Sequence, residues 1–338
     1  MTELQSVLES HFRRGALRNI ALRVGRSSDV LFEHIESHTE PLTADSLFDM
    51  ASTTKVIVTA SLILLAFDRG LLSPDTPVTD FFAAPPPYDG LTVRHFLCHT
   101  TGIGRRVLSL PQINYLNVAD YIFSQPPEVT PGSDIRYSCP GYILLGKIAE
   151  SIFGDRLDHI FRALVAEPLG MDSTDFRPDI QKNHTVNACV TEAERGLVND
   201  YNCRHFGGIA GNAGVFSSLN DMTRYAMMLA AHGAPIIGRE VFDEAIRLHT
   251  AGMSTPWGLG FRYVDESFAQ TGELFPAGSF GHCGHTGQSV FVDPKTGLWT
   301  VLLTDASLCS HRHGHEYYPD TQTLRAKVHT ALKHDLDL

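Results

Sequence analysis

Short strand-like runs lie near both ends of the chain, and the segment between them carries apolar residues at helical spacing. The strand-like runs are rich in Val, Ile, Phe, Trp and Leu and are bounded by polar or glycine-containing turns. They cover residues 19–25, 30–36, 259–264, 289–292 and 298–304. Because these runs come from opposite ends of the chain, the pattern predicts one sheet built from both termini, with a helical insertion between them.

Helical patterns cover residues 92–99, 140–153 and 221–231, and one more helix follows the polar segment 49–54. That first helix is expected to end near Gly70, because glycine can adopt a left-handed cap. It contains the longest apolar run of the chain, the twelve residues from 56 to 67. A bilayer-spanning helix needs about 18 apolar residues. The run is therefore predicted to be a buried core helix, and no membrane partner is expected.

The composition is that of a single globular unit, because 43% of the 338 residues are hydrophobic and 19% are charged. The formal net charge is −11, and no run of Lys or Arg is longer than two residues. Nucleic acid is therefore not an expected partner. The N-terminus lacks the basic start and apolar run of a signal peptide, so a cytoplasmic location is predicted. The six cysteines include no Cys-x-x-Cys pair, and free thiols are expected.

The motif Ser52-Thr-Thr-Lys55 stands at the start of the first predicted helix and combines a nucleophile with a base. A spacing of three residues puts both side chains on one helix face, in the first turn where backbone N–H groups point outward. A serine hydroxyl needs an adjacent base, and a lysine in an apolar environment loses its proton more easily. On spacing alone, a helix-capping serine with a solvated lysine is the more common explanation.

Two further segments contain groups that such chemistry requires. Tyr137 lies just before the helix 140–153, where it could shuttle a proton if a cation stabilised its phenolate. A core ring with a satisfied hydroxyl is the alternative. The segment 281–294 begins a strand with glycines, and its backbone N–H groups could form an oxyanion hole together with the Ser52 amide. A glycine-rich hairpin is the simpler explanation of that segment.

Together these segments resemble the serine β-lactamase and penicillin-binding protein superfamily, specifically the branch of class C β-lactamases and family VIII carboxylesterases. Segments 91–103, 168–174 and 207–217 are similar to further landmarks in family order. The resemblance implies an α/β (α+β) fold over residues 1–338, with an antiparallel sheet flanked by terminal helices. It places the sheet subdomain at about 1–74 and 191–338, and a mainly helical subdomain at about 75–190.

The resemblance also implies roles for individual residues in a serine hydrolase that cleaves an ester, amide or peptide without a metal or organic cofactor. Ser52 would be the acylated nucleophile, and Lys55 and Tyr137 would share the role of base. The third family motif could be His282-Cys283-Gly284 or the segment 285–287, and the first match is preferred. His282 would then belong to the catalytic set, and the His285 amide would be the second oxyanion donor.

Two departures from the family pattern bear on the substrate. Cys139 stands where many relatives have the Asn of Tyr-x-Asn, and His282-Cys283 stands where penicillin-recognising members carry Lys-Thr. A titrating imidazole replaces a permanent cation, so recognition of a substrate carboxylate by this motif should weaken. An esterase, amidase or peptidase is therefore expected rather than an efficient β-lactamase. A β-lactamase, a D-alanyl carboxypeptidase and a non-catalytic binding module are the alternatives.

Two candidate sites remain open at this point. Asp200 and Asn202 lie in a segment that resembles one subgroup of the family, and they either line the substrate pocket or form an Asx turn. The cluster of Cys309, His311, His313 and His315 carries soft ligands for a transition metal. Alternate-residue spacing suits a solvated loop better than a preformed tetrahedral site, and no metal site is predicted. The sequence does not indicate the oligomeric state.

Overall fold

The computed structural model describes residues 1–39, 41–180, 185–186, 195–306 and 317–338. Ten strands in these residues form two sheets. In chain order the strands are β1 (Asn19–Arg26), β2 (Asp29–Ser37), β3 (Leu47–Asp49), β4 (Asp175–Phe176), β5 (Thr185–Val186), β6 (Val215–Ser217), β7 (Arg262–Tyr263), β8 (Phe280–Cys283), β9 (Ser289–Val292) and β10 (Leu298–Thr304).

The larger sheet has six strands in the order β2-β1-β10-β9-β8-β7, and every pair in it is antiparallel. Strand β1 pairs with β10, so the N-terminal hairpin lies directly against the C-terminal strands. This confirms the predicted antiparallel sheet built from both termini. The predicted strand 259–264 is shorter than expected: only β7 pairs, because residues before it close a turn in which the Gly258 N–H donates to the Phe261 carbonyl.

Eleven α-helices lie in the described part of the chain. They are α1 (Glu3–Arg13), α2 (Ser61–Asp68), α3 (Val93–Leu97), α4 (Val118–Ser124), α5 (Cys139–Phe153), α6 (Leu157–Phe161), α7 (Glu167–Leu169), α8 (Tyr201–His205), α9 (Leu219–Ala230), α10 (Arg239–Ala245) and α11 (Tyr317–Leu336). The predicted helices 92–99, 140–153 and 221–231 correspond to α3, α5 and α9.

The six-stranded sheet separates two hydrophobic cores because successive side chains of a strand point to opposite faces. Leu22 and Leu302 face the core that α1 and α11 cover. Ala21, Val301 and Leu303 face the larger core, which contains α2, α5 and α9. Terminal helices therefore cover one face, as predicted. The boundaries of the two subdomains at about 75 and 190 stay a prediction.

The predicted core helix spans Ala51–Asp68, and by length and composition it could cross a membrane. It is 83% buried within the protein, which is typical of a core helix. Its geometry changes along its length: Ala51–Thr53 form a 3₁₀ turn, Lys55–Ala60 form π-helical turns, and α2 follows. π-Helical turns are rare and frequently occur at functional sites.

A close approach of two backbones fixes a loop beside this helix. Gly211 packs against Gly146 of α5, and a Cβ atom at Gly211 would overlap the carbonyl oxygen of Tyr142. The Gly211 carbonyl in turn accepts a hydrogen bond of 2.6 Å from the Thr59 hydroxyl. The backbone of residues 211–213 is thereby held against the helix that starts at Ala51.

Candidate active site

Ser52 lies in the 3₁₀ turn with which the core helix begins, shortly after β3 ends. The preceding residue, Ala51, has a φ of +45°, a conformation that is costly for a residue with a Cβ atom. The turn is held from both sides: the Ala51 N–H donates to the Asp49 carboxylate over 2.8 Å, and the Met50 N–H donates to the Val215 carbonyl over 2.9 Å. Ser52 is thus inside a strained turn, and its hydroxyl does not cap the helix.

Lys55 is fully buried, with an exposed fraction of 0%. Its ammonium group donates to the Ser52 hydroxyl over 3.0 Å and to the Asn212 carbonyl over 3.0 Å, and it contacts the Cys139 thiol at 3.4 Å. All three donor positions of the ammonium are therefore used. The alternative of a solvated lysine is wrong, because the Lys55 side chain itself is fully buried.

Tyr137 completes the group around the Ser52 hydroxyl. Its side chain lines the same pocket as Ser52, and the Lys55 Nζ atom lies 5.1 Å from the centre of its ring. The loop that carries Tyr137 is fixed by His99, whose Nδ1 accepts from the Ser138 N–H over 3.0 Å and whose ring lies 4.4 Å from that of Tyr137. Sequence reasoning gave His99 no role, although it lies in the landmark segment 91–103.

The protonation of this group follows from burial and close contact. Burial by itself lowers the pKa of Lys55, but the neighbouring Cys139 and Tyr137 raise it by more, so that the net pKa lies above the ordinary value. The net shift of the Lys55 pKa is therefore opposite in sign to the shift that desolvation alone predicts. Burial also raises the pKa of Tyr137, although Lys55 opposes that shift. At neutral pH the pair therefore holds both protons, as an ammonium and a phenol.

Proton loss from this pair is expected to control activity. Since the pKa values of both groups are raised, the basic form is scarce at neutral pH and becomes more abundant as the pH rises. We expect kcat/KM for a neutral ester to rise through the alkaline range. Tyr137→Phe should lower kcat/KM about 100-fold and change the pH range over which kcat/KM rises. The measurement is kcat/KM from about pH 5 to about pH 10, corrected for spontaneous hydrolysis.

A rise in kcat/KM centred at about pH 6 would contradict this assignment. It would point instead to Asp49, because burial raises the pKa of Asp49 to about 6. The Asp49 carboxylate also accepts from the Asn199 N–H over 2.7 Å. Its titration would therefore act through the turn that carries Ser52.

The third motif lies at the end of β8, beside the turn of Ser52. His282, Cys283, Gly284 and His285 all line the pocket, whereas residues 286 and 287 do not. A Cβ atom at Gly284 would lie 2.7 Å from the Met50 carbonyl oxygen, so a glycine is needed for the strand to approach the catalytic turn. This geometry favours the first of the two predicted positions of the motif. The role of the His285 amide as an oxyanion donor stays a prediction.

His282 is a neutral side chain in this environment. Burial lowers the pKa of His282 to about 3, and the nearby Lys55 contributes in the same direction. Its Nδ1 lies 2.9 Å from the Cys283 carbonyl, which can only accept, so Nδ1 carries the proton and Nε2 is an acceptor. The sequence predicted a titrating imidazole at this position. The titration falls well below neutral pH because the ring is buried beside a cation.

The cavity around Ser52 has a volume of about 570 Å³, and the predicted substrate-binding residues Cys139 and Asn202 line it. The Asn202 amide donates to the Arg106 carbonyl over 2.9 Å and accepts from the Leu108 N–H over 2.8 Å. It therefore holds the backbone of residues 106–108, of which Arg106 lines the pocket. Asp200 also lines the cavity, but its carboxylate caps α8 by accepting from the Cys203 N–H over 2.8 Å.

The metal hypothesis falls on residues outside the described part of the chain, because Cys309, His311, His313 and His315 all lie between 307 and 316. Within the described ranges, no group of three or more His, Cys, Asp and Glu side chains could hold a metal ion. Of the predicted free thiols, those of Cys98, Cys139, Cys203 and Cys283 are confirmed as free.

The chain as a whole is similar to known hydrolases. Esterase EstB of Burkholderia gladioli is 28% identical over 356 residues, covering 90% of this chain and 90% of the esterase. A protein of Escherichia coli (strain K12), provisionally named as a D-alanyl-D-alanine carboxypeptidase, is 27% identical over 308 residues, covering 78% of this chain and 70% of that protein.

Solved structures share the fold at lower sequence identity. The D-amino acid amidase of Ochrobactrum anthropi SV3 is 20% identical and covers 98% of both chains with a TM-score of 0.74. The family model described as Beta-lactamase matches residues 4–320. The esterase and carboxypeptidase relatives indicate a serine hydrolase that acts on ester or amide bonds. The chain therefore belongs to the Beta-lactamase family.

Proposed function

We propose that this serine hydrolase cleaves carboxylic esters through an acyl-enzyme on Ser52. The observation that carries the proposal is the contact of 3.0 Å between the Lys55 ammonium and the Ser52 hydroxyl, with the Tyr137 ring centre 5.1 Å from the Lys55 Nζ atom. A hydroxyl in such a setting is activated when one proton leaves the pair beside it. A non-catalytic binding module would not need a buried lysine ammonium in contact with a serine hydroxyl.

The reaction would proceed in two stages. When the lysine–tyrosine pair has lost one proton, it accepts the proton of Ser52 as the hydroxyl oxygen attacks the substrate carbonyl. The backbone amides of Ser52 and His285 are proposed to stabilise the oxyanion of the tetrahedral intermediate. The pair returns the proton to the leaving alcohol. Water then attacks the acyl-enzyme as the same pair accepts its proton, and that proton passes to the Ser52 oxygen as the carboxylic acid leaves.

The neutral third motif supports an ester rather than a penicillin as the preferred substrate. Penicillin-recognising members carry a cation at the first position of this motif, and His282 supplies none because its pKa lies at about 3. A hydrogen bond to a charged group contributes about 1.5–3 kcal/mol. The likeness to esterase EstB points in the same direction.

We expect kcat/KM for a short-acyl ester to exceed that for benzylpenicillin by at least about tenfold, after each is divided by the substrate's own rate of alkaline hydrolysis. The measurement uses purified protein, with p-nitrophenyl acetate and benzylpenicillin at the same pH. Faster turnover of benzylpenicillin would overturn the proposal and would leave β-lactamase activity as the better assignment.

A D-alanyl carboxypeptidase is the second candidate, because the Escherichia coli relative carries that provisional name. A peptide ending in D-Ala-D-Ala, added to the same assay, distinguishes it. Release of D-alanine at a higher kcat/KM than ester cleavage would favour the peptidase.

A further inference from the structure

Cys139 carries a thiol in the catalytic cavity that the proposed mechanism does not use. It is the first residue of α5, it lines the cavity around Ser52, and its side chain is half-buried rather than sealed in the core. The Lys55 ammonium donates to its sulfur over 3.4 Å. A small molecule that enters the cavity can therefore reach the Cys139 sulfur beside the catalytic lysine.

The surroundings of Cys139 are those of a reactive cysteine. The thiolate is the nucleophilic form, and a neighbouring cation or a helix N-terminus stabilises it. Cys139 has both, the Lys55 ammonium and the first turn of the 15-residue helix α5. Burial by itself lowers the pKa of Lys55, and the attraction of Cys139 is the largest of the effects that raise it. Because this attraction is mutual, Lys55 stabilises negative charge on the Cys139 sulfur.

The other cysteines of the described residues lack these surroundings. Burial raises the pKa of Cys98 to about 12, and it also raises the pKa values of Cys203 and Cys283. Cys283 lines the same cavity, but its burial outweighs the attraction of the nearby arginines. Thiols with a raised pKa are poor nucleophiles at neutral pH. Cys283 is therefore a matched control for Cys139.

The cavity also contains an acceptor without a partner. The His282 side chain is 2% exposed, and its Nε2 atom has no hydrogen-bond partner among the residues that the structure describes. Nδ1 faces the Cys283 carbonyl, so Nε2 lies at the far side of a ring that lines the cavity. An unfilled buried acceptor favours a molecule with an O–H donor. A hydroperoxide has this donor, together with an O–O bond that a thiolate can break.

We propose that Cys139 is an oxidation site for a hydroperoxide, and that its oxidation reversibly stops the hydrolase. The thiolate sulfur attacks one peroxide oxygen, and an S–O bond forms as the O–O bond breaks. The Lys55 ammonium gives a proton to the leaving oxygen, and the amine then regains the proton that the thiol released on ionisation. Cys139 is oxidised to a sulfenic acid, and the hydroperoxide is reduced to an alcohol, or hydrogen peroxide to water.

The inhibitory effect rests on the ester hydrolysis proposed above. The added oxygen enters the cavity beside Lys55 and competes with the Ser52 hydroxyl for the ammonium, which contacts that hydroxyl at 3.0 Å. A thiol reverses the change, because it displaces water from the sulfenic acid to form a disulfide. A second thiol reduces that disulfide and restores Cys139. Turnover should therefore be lost with peroxide and return with a thiol.

The first test follows turnover before and after oxidation. Reduced protein is treated with hydrogen peroxide, the peroxide is removed with catalase, and kcat/KM for p-nitrophenyl acetate is measured. We expect kcat/KM to fall about tenfold or more, and to recover after dithiothreitol has been added and removed again. Cys139→Ser, compared with its own untreated sample, should resist peroxide, whereas Cys283→Ser should be inactivated like the unaltered protein. Cys139→Ala takes the place of Cys139→Ser if the serine variant does not fold.

A labelling experiment tests the oxidation site without turnover. Dimedone reacts with sulfenic acids but not with thiols or disulfides, and peptide mass spectrometry locates the adduct. We expect an adduct on Cys139 after peroxide treatment and none on Cys283. No adduct on Cys139, an equal loss of turnover in Cys139→Ser, or undiminished turnover of labelled protein would overturn the proposal. If the untreated protein hydrolyses no ester, the proposed function fails instead, and the labelling of Cys139 still tests the oxidation site.

Discussion

Ser52→Ala is expected to lower kcat/KM for ester hydrolysis by about 10⁴-fold or more. The substitution removes the proposed nucleophile, and the residual rate can come only from the oxyanion site and from substrate binding. The Lys55 ammonium loses one of its three contacts, but the Asn212 carbonyl and the Cys139 thiol remain in reach. The fold should therefore be kept while the chemistry is lost, as measured by kcat/KM together with thermal unfolding.

Ser133→Ala is the control for this substitution, because its exposed hydroxyl donates only to the Thr130 carbonyl in the loop before Tyr137. Its kcat/KM should stay within about twofold of the unaltered protein. Ester hydrolysis that persists in Ser52→Ala would mean that another group attacks the substrate. Cys139 and Cys283 would then be the first candidates, since both thiols line the cavity.

Lys55→Met is expected to lower kcat/KM by about 10³-fold or more. Methionine fills a similar volume, but it neither orients the Ser52 hydroxyl nor takes part in proton exchange with Tyr137. The variant leaves the Asn212 carbonyl without the ammonium donor, which costs about 1–3 kcal/mol. Replacing a buried charge by an apolar side chain offsets part of that loss.

Stability and catalysis should therefore separate in Lys55→Met. We expect a small change in melting temperature by circular dichroism and a nearly complete loss of turnover on the same sample. If Lys55→Met unfolds, its lost turnover reports only on packing. Turnover of Lys55→Gln, which keeps a hydrogen-bond donor for the Asn212 carbonyl, is then the second test. Turnover near the level of the unaltered protein in a folded variant would contradict the role of Lys55.

The large sheet and the main helices are predictable because their signals are local and long enough to be periodic. Strands β1, β2, β9 and β10 and helix α5 each span four or more residues of regular pattern. The second sheet, in the order β4-β6-β3-β5, is not predicted. Its strands have only two or three residues each, which is too short to display an alternating pattern.

The chemical motif is predictable, but its environment is not. The spacing of Ser52 and Lys55 implies that they meet, because three residues on a helix share a face. The other partners of Lys55 lie 84 and 157 residues further along the chain, so only the fold brings Cys139 and Asn212 to the ammonium. The raised pKa of Lys55 depends on Cys139 and Tyr137, which are similarly distant in the chain, and reasoning from burial alone gives the wrong sign.

Covalent labelling with a fluorophosphonate tests most directly whether the Ser52 hydroxyl is the reactive group. Attack by the serine oxygen on phosphorus expels fluoride and leaves a stable phosphonyl ester, which intact-mass and peptide mass spectrometry locate to one residue. We predict a single adduct on Ser52 and no adduct on Ser52→Ala under the same conditions. A label on Cys139, Cys283 or any other residue, or an unlabelled protein that still hydrolyses esters, would contradict the account.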